Sequence, residues 1–138
     1  MDYLSGINWF AVVGAALLNT VIGFLWYGPL FGKKWMRASG ITPESINKSQ
    51  ANKAYVVSGF LALITSFVLA FLIVNIGVVN LWKGAALGAL LWLGFVATTM
   101  YLSVLFENKN TKLYWINSLY QLAALTAMST LLTWWHAL

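Results

Sequence analysis

The chain has 138 residues, of which 61% are apolar and only 8% charged, with a net charge of +5 and a mean hydropathy of +0.78. Soluble domains carry about 25% charged residues, so this composition excludes one. The absence of cysteine excludes disulfides, thiolate chemistry and cysteine metal sites.

Four apolar runs, roughly 8–30, 54–77, 81–106 and 113–135, each reach the ~20 residues a helix needs to cross a bilayer. Lipid offers the backbone no water, and barrel-type alternation is absent, so the runs predict helices. The expectation is an all-α integral membrane protein, a single domain over 1–138 with four transmembrane helices.

Run 1 follows an acidic residue, Asp2, and its apolar core is long, so it predicts a span and not a signal peptide. Trp9 and Phe10 at one end, and Trp26 and Tyr27 at the other, read as interfacial belts. Pro29 disfavours helix at Gly28 and predicts a break there. In the basic loop 31–53, Phe31, Trp35 and Met36 alternate with Lys33, Lys34 and Arg37. This pattern predicts a short interfacial segment on an anionic leaflet, with about 1 kcal/mol of attraction per basic residue. Gly40 suits a helix stop. Thr42-Pro43-Glu44-Ser45 predicts a new helix, with Thr42 as N-cap and Pro43 at its first position, able to run straight into run 2.

Small residues recur four apart on three runs: Ala11, Ala15, Asn19 and Gly23; Ser58, Ala62, Ser66 and Ala70; Gly84 and Gly88. Such stripes let helix backbones approach closely in lipid, where packing drives association. The short connection at 78–82 predicts that runs 2 and 3 pair as an antiparallel hairpin.

Orientation follows from charge. Lys33, Lys34, Arg37, Lys48, Lys53, Lys109 and Lys112 fall on one side of the predicted spans, and only Lys83 on the other. The positive-inside rule makes that side cytoplasmic and both termini external. It accounts for the net charge without nucleic acid as a partner.

The chemistry-bearing residues are few. Asp2, Glu44 and Glu107 lie at or beyond the predicted membrane edges, and the one histidine, His136, is three residues from the end. No paired carboxylates, triad, phosphate loop or metal-ligand set is legible, so neither enzyme activity nor a cofactor is expected. Glu107 reads as a solvated loop acid or a partner for Lys33, Lys34 or Arg37, and His136 as an exposed terminal residue. No charged residue lies deep in a run, which sets the chain apart from proton-coupled transporters.

A layer of neutral polar residues remains near mid-membrane. Asn19, Thr98, Thr99 and Gln121 share a depth, with Asn117 one turn from Gln121 on the same face. Two readings stand. These residues form interhelical hydrogen bonds, worth about 0.6 kcal/mol each, or they line a polar cavity or permeation path in which amides replace the hydration of a solute.

The stretch Asn19 to Met36 resembles the signature of the DUF1761 family of small bacterial membrane proteins. The resemblance rests on Asn19, Gly23, Trp26, Tyr27, Gly28, Leu30, Phe31, Gly32, Lys33, Trp35 and Met36, with Gly88, Trp92 and Gly94 as weaker echoes. It implies a bacterial cytoplasmic-membrane location and no particular activity. It also singles out a surface motif at the end of run 1: Trp26, Tyr27, Gly28, Pro29, Lys33, Lys34, Trp35 and Arg37.

Two functions are therefore expected. The leading one is binding or passage of a small solute or ion through the amide-lined layer. The alternative is a non-transporting lipid-binding or partner-scaffolding module acting through the basic loop. The expected partners are the bilayer, anionic headgroups at the cytoplasmic face and a second copy of the chain.

Overall fold

A computed structural model describes residues 2–138. It is all-helical among those residues: α1 (Trp9–Leu25), α2 (Gly32–Ser39), α3 (Lys48–Ile76), α4 (Leu81–Leu91), α5 (Thr98–Glu107) and α6 (Thr111–Ala137). Two π-helical segments, Trp26–Leu30 and Trp92–Ala97, extend α1 and join α4 to α5. Three continuous stretches are long and apolar enough to cross a membrane: Trp9–Leu30, Lys48–Ile76 and Leu81–Glu107.

The four longest runs of helix start alike. Asn8, Asn47, Asn80 and Asn110 each cap a helix with the side-chain oxygen, which accepts a backbone N–H from the first turn at 2.8–3.1 Å. Asparagine at this position satisfies a donor that the helix cannot. Thr42 was expected to open a helix continuing into run 2. It instead closes a capping box with Ser45 around a single 3-10 turn, Pro43–Ser45, and Ile46 returns to extended backbone. The long helix starts afresh after Asn47 because the Asn47 side chain takes the N–H groups of Ser49 and Gln50.

Helix α6 occupies the centre and packs on α4, α1 and α3. This explains an inversion in its sequence. It is the most polar of the long helices, yet it buries Ser118, Ser129 and Thr133 completely. Of these, Ser129 meets a neighbouring backbone, Thr133 bonds back to Ser129 O, and Ser118 Oγ is buried without a hydrogen-bond partner among the described residues. Ser129 donates to Gly84 O at 2.6 Å, and Trp92 Nε1–H donates to Ser118 O at 2.7 Å. Gly84 faces Thr133 Oγ1, and a Cβ on Gly88 would stand 2.6 Å from Leu125 O. The small-residue stripes act as expected where they are buried. Ala11, Ala15 and Ala70 share a buried cluster with Leu69 and Ile73, Ala62 is buried, and Ser66 donates to Val12 O at 2.7 Å. Ser58 is exposed.

The hairpin expectation is corrected. Helices α3 and α4 are joined by residues 77–80 but scarcely pack on one another, since α4 lies along α6 and α3 along α1. Gly84 and Gly88 decide this, because they present bare backbone to α6. The bundle is tight where α1 begins and α6 ends, and open at the other, basic end. The buried cluster of Ile7, Ala11, Val12, Ile73, Met128 and Leu132 gathers at the first of these ends, and no member of it lies near Tyr55, Phe60 or Phe106, which are exposed.

Two further expectations change. Glu107 pairs with Lys109 of its own loop at 3.3 Å, not with the α2 cations. His136 is half-buried, with Nε2 accepting the Asn8 N–H at 2.9 Å. The proton must then sit on Nδ1, which donates to Leu132 O at 2.8 Å. This histidine ties the start of α1 to the end of α6.

A candidate functional site: a basic groove beside paired tyrosines and asparagines

The π-helical turn at the end of α1 creates the site. Pro29 has no N–H to give, and the turn widens so that the Phe31 N–H reaches back five residues to Trp26 O at 2.8 Å. The helix therefore passes through Gly28-Pro29, where a break was expected, and ends at Phe31 (φ −127°, ψ 8°). Gly32 must follow, because a Cβ there would lie 2.6 Å from Tyr27 O. The chain re-enters as α2, and Gly40 (φ 73°) closes it in the left-handed region. Trp35 packs edge-on against Tyr27 at 5.7 Å, which seats α2 on the end of α1.

Beside α2 lies a groove of about 570 Å³. Lys34 and Arg37 line it from α2, and Asn110 and Lys112 from the first turn of α6. Its apolar wall is Trp26, Phe31, Trp115, Ile116 and Leu119. Trp26 is held rigidly: its Nε1–H donates to Ile116 O at 3.0 Å and its ring lies 4.6 Å from Phe31. Lys34 Nζ sits 5.9 Å above the Phe31 ring. Among the described residues no carboxylate pairs with Lys34, Arg37 or Lys112. The N-terminal end of α6 opens on the same groove and adds its partial positive charge. The electrostatics suit an anion, and the wall suits an apolar body.

One turn deeper, α1 and α6 exchange two hydrogen bonds. Tyr120 Oη–H donates to Asn19 Oδ1, and Tyr27 Oη–H to Asn117 Oδ1, both at 2.7 Å. Each helix thus supplies one tyrosine and one asparagine. The two phenol rings meet edge-on at 5.2 Å, and Gly23 leaves room for Tyr120. Each amide keeps its NH2 group as a donor.

Of the predicted polar layer, the structure brings Asn19 and Asn117 together through these tyrosines. Gln121, one residue beyond Tyr120, is half-buried and outside both pairs. Thr98 and Thr99 are exposed on the outside of the bundle, and Thr98 bonds back to Gly94 O at 2.8 Å. Equal depth placed these threonines in the layer, but depth does not fix the face of a helix.

The surface motif also divides. Trp26, Lys34 and Arg37 line the groove, while Tyr27 and Trp35 hold α2 against α1. Gly28 and Pro29 form the exposed π turn, and Lys33 is exposed outside the groove lining. Trp26 and Tyr27, expected as belts, spend their polar atoms on α6. Sequence reasoning missed Tyr120 and Asn110, and read Lys112 only as an orienting charge and Trp115 only as an interfacial aromatic. A signal was present: Tyr120 stands three residues after Asn117, and Trp115 three after Lys112, the spacing that shares a helix face.

The chain belongs to the family described as "protein of unknown function (DUF1761)", whose model matches residues 10–133. No curated protein and no solved structure matches it.

Proposed function

We propose that this DUF1761 protein is a non-transporting module of the bacterial inner membrane that binds anionic lipid headgroups at the cytoplasmic surface. In this reading α6 is the fourth crossing, and both termini are external. Its length supports this: 27 residues at ~1.5 Å each span about 40 Å. So does its central position, where Ser129 and Tyr120 spend their hydroxyls on neighbouring helices. The orientation rests on the seven basic residues that gather at one end.

One observation carries the binding reading. Three cations from two separate helices converge on one groove with an aromatic wall and no acid. A phosphate can sit among Lys34, Arg37 and Lys112 while its apolar body rests on Trp26 and Trp115. The test is native mass spectrometry in mild detergent, titrating phosphatidylglycerol against phosphatidylcholine. The triple variant Lys34→Gln/Arg37→Gln/Lys112→Gln should lose about a hundredfold in phosphatidylglycerol affinity, from ~1 kcal/mol per cation. A variant that retains the lipid as wild type does would sink the proposal. Lys33, Lys48, Lys53 and Lys109 remain to hold the orientation.

Solute passage is kept as a second reading because the Asn19 and Asn117 NH2 groups remain available as donors beside the tyrosine pair. It requires that Asn19→Leu and Asn117→Leu reduce flux of small solutes into liposomes while the protein stays folded. Equal flux through empty and protein-bearing liposomes refutes it.

A further inference from the structure

The basic groove continues into a second one. A shallow, open furrow begins at the same Trp26 and Leu119 and follows α6 through Leu122, Ala123, Thr126 and Ala127. Shared lining makes the two a single track, basic and aromatic at the end nearest α2 and apolar beyond Trp26. The indole marks the junction, and its only N–H is already given to Ile116 O, so it shows the track an apolar ring. Ala123 and Ala127, four residues apart, form a floor without bulk. Leu119 and Leu122 supply the walls.

Dimensions decide what fits. From Leu119 to Ala127 is eight residues, or ~12 Å at ~1.5 Å per residue. One leaflet of hydrocarbon is about 15 Å, half of a ~30 Å core. Leu119 lies seven residues, ~10 Å, beyond Lys112, so the furrow begins inside the leaflet and continues past the depth of Gln121, about as far as one acyl chain reaches. A free phosphate or a soluble anion would leave it empty, whereas a lipid would fill both parts.

We infer that the track holds one membrane phospholipid of net negative charge, its phosphate among Lys34, Arg37 and Lys112 and one acyl chain along Leu119–Ala127. This rests on the headgroup reading above and deepens it: the site selects for charge at one end and for a leaflet-length chain at the other. Trp26 positions both halves, because the Ile116 bond fixes its ring where headgroup gives way to chain.

The experiment uses the full chain in mild detergent, with three probes: dipalmitoyl phosphatidylglycerol, dipalmitoyl phosphatidylcholine and dihexanoyl phosphatidylglycerol. Filling the furrow with Ala123→Phe should weaken the long-chain anionic lipid by at least about tenfold, because several methylenes lose their contact surface. The short-chain lipid should bind this variant as it binds wild type. Ala127→Leu, a smaller change further along the floor, should give a lesser loss of the same kind and serves if Ala123→Phe does not fold. If wild type retains phosphatidylglycerol and phosphatidylcholine equally, the headgroup reading itself fails. If the preference for phosphatidylglycerol holds but both furrow variants bind long chains as wild type does, the chain track is overturned and the headgroup site stands. Equal wild-type affinity for the short- and long-chain anionic lipids overturns the track as well.

Discussion

Gly88→Ala should destabilise the bundle, although the same exchange in a helix ordinarily helps. A Cβ at Gly88 would sit 2.6 Å from Leu125 O, 2.9 Å from Leu125 C and 3.0 Å from Thr126 Cα. All three atoms belong to the α6 backbone, so no side chain can swing aside. Interhelical C···O contacts settle at about 3.3–3.6 Å, so α4 would have to withdraw by about 0.7–1 Å. That movement stretches the Ser129–Gly84 bond one turn away, now 2.6 Å. Overpacking of this kind costs about 1–3 kcal/mol, while alanine regains up to ~1 kcal/mol of helix propensity. The expected net loss is up to about 2 kcal/mol. Gly59→Ala is the control, because a Cβ there meets nothing within 4 Å and should stabilise by up to ~1 kcal/mol. Unfolding by sodium dodecyl sulfate in mixed micelles, followed by circular dichroism, reads both. If Gly88→Ala moves in the same direction as Gly59→Ala, α4 and α6 are not in backbone contact and the packing described above is refuted.

Other substitutions probe the remaining seams. Ser66→Ala removes the buried bond to Val12 O and should cost about 1 kcal/mol in the same unfolding assay. Tyr120→Phe leaves Asn19 Oδ1 without its donor and should cost about 1–2 kcal/mol; Tyr27→Phe should do the same for Asn117. A loss confined to one tyrosine would show that the two pairs do not share the α1–α6 seam. His136→Ala should free the Asn8 N–H and raise hydrogen exchange at the first turn of α1, leaving the basic end unchanged. Glu107→Gln should shift stability by less than about 0.5 kcal/mol, because both partners of its ion pair are more than half exposed.

Certain features were legible because they follow from composition and short-range spacing. Apolar length predicted helices at 8–30, 54–77, 81–106 and 113–135, and helical stretches cover Trp9–Leu30, Lys48–Ile76, Leu81–Glu107 and Thr111–Ala137. Spacing of four predicted the small-residue contacts at Ala15, Ser66 and Gly88. The family signature from Asn19 to Met36 marked the stretch that carries the π turn and α2. Other features were not legible. The N-cap asparagines sit at or beyond the edges of the apolar runs, and only local geometry distinguishes Asn47 from Thr42. Depth grouped Thr98 with Asn19, but the threonine points outward. The partners of Trp26 and Tyr27 lie 90 residues away on α6, a distance no spacing rule reaches.

The sequence by itself determined what solvent surrounds this protein, since the balance of apolar and charged side chains fixes which medium a chain can dissolve in. It also determined where helices form and which end carries the charge. Only the tertiary structure decided that the most polar helix stands at the centre, where Ser129 and Tyr120 find partners on other helices that lipid would not supply. It alone brought Lys112 beside Lys34 and Arg37. A groove is a relation between helices distant in sequence, and it exists only once α6 has packed against α1 and α2.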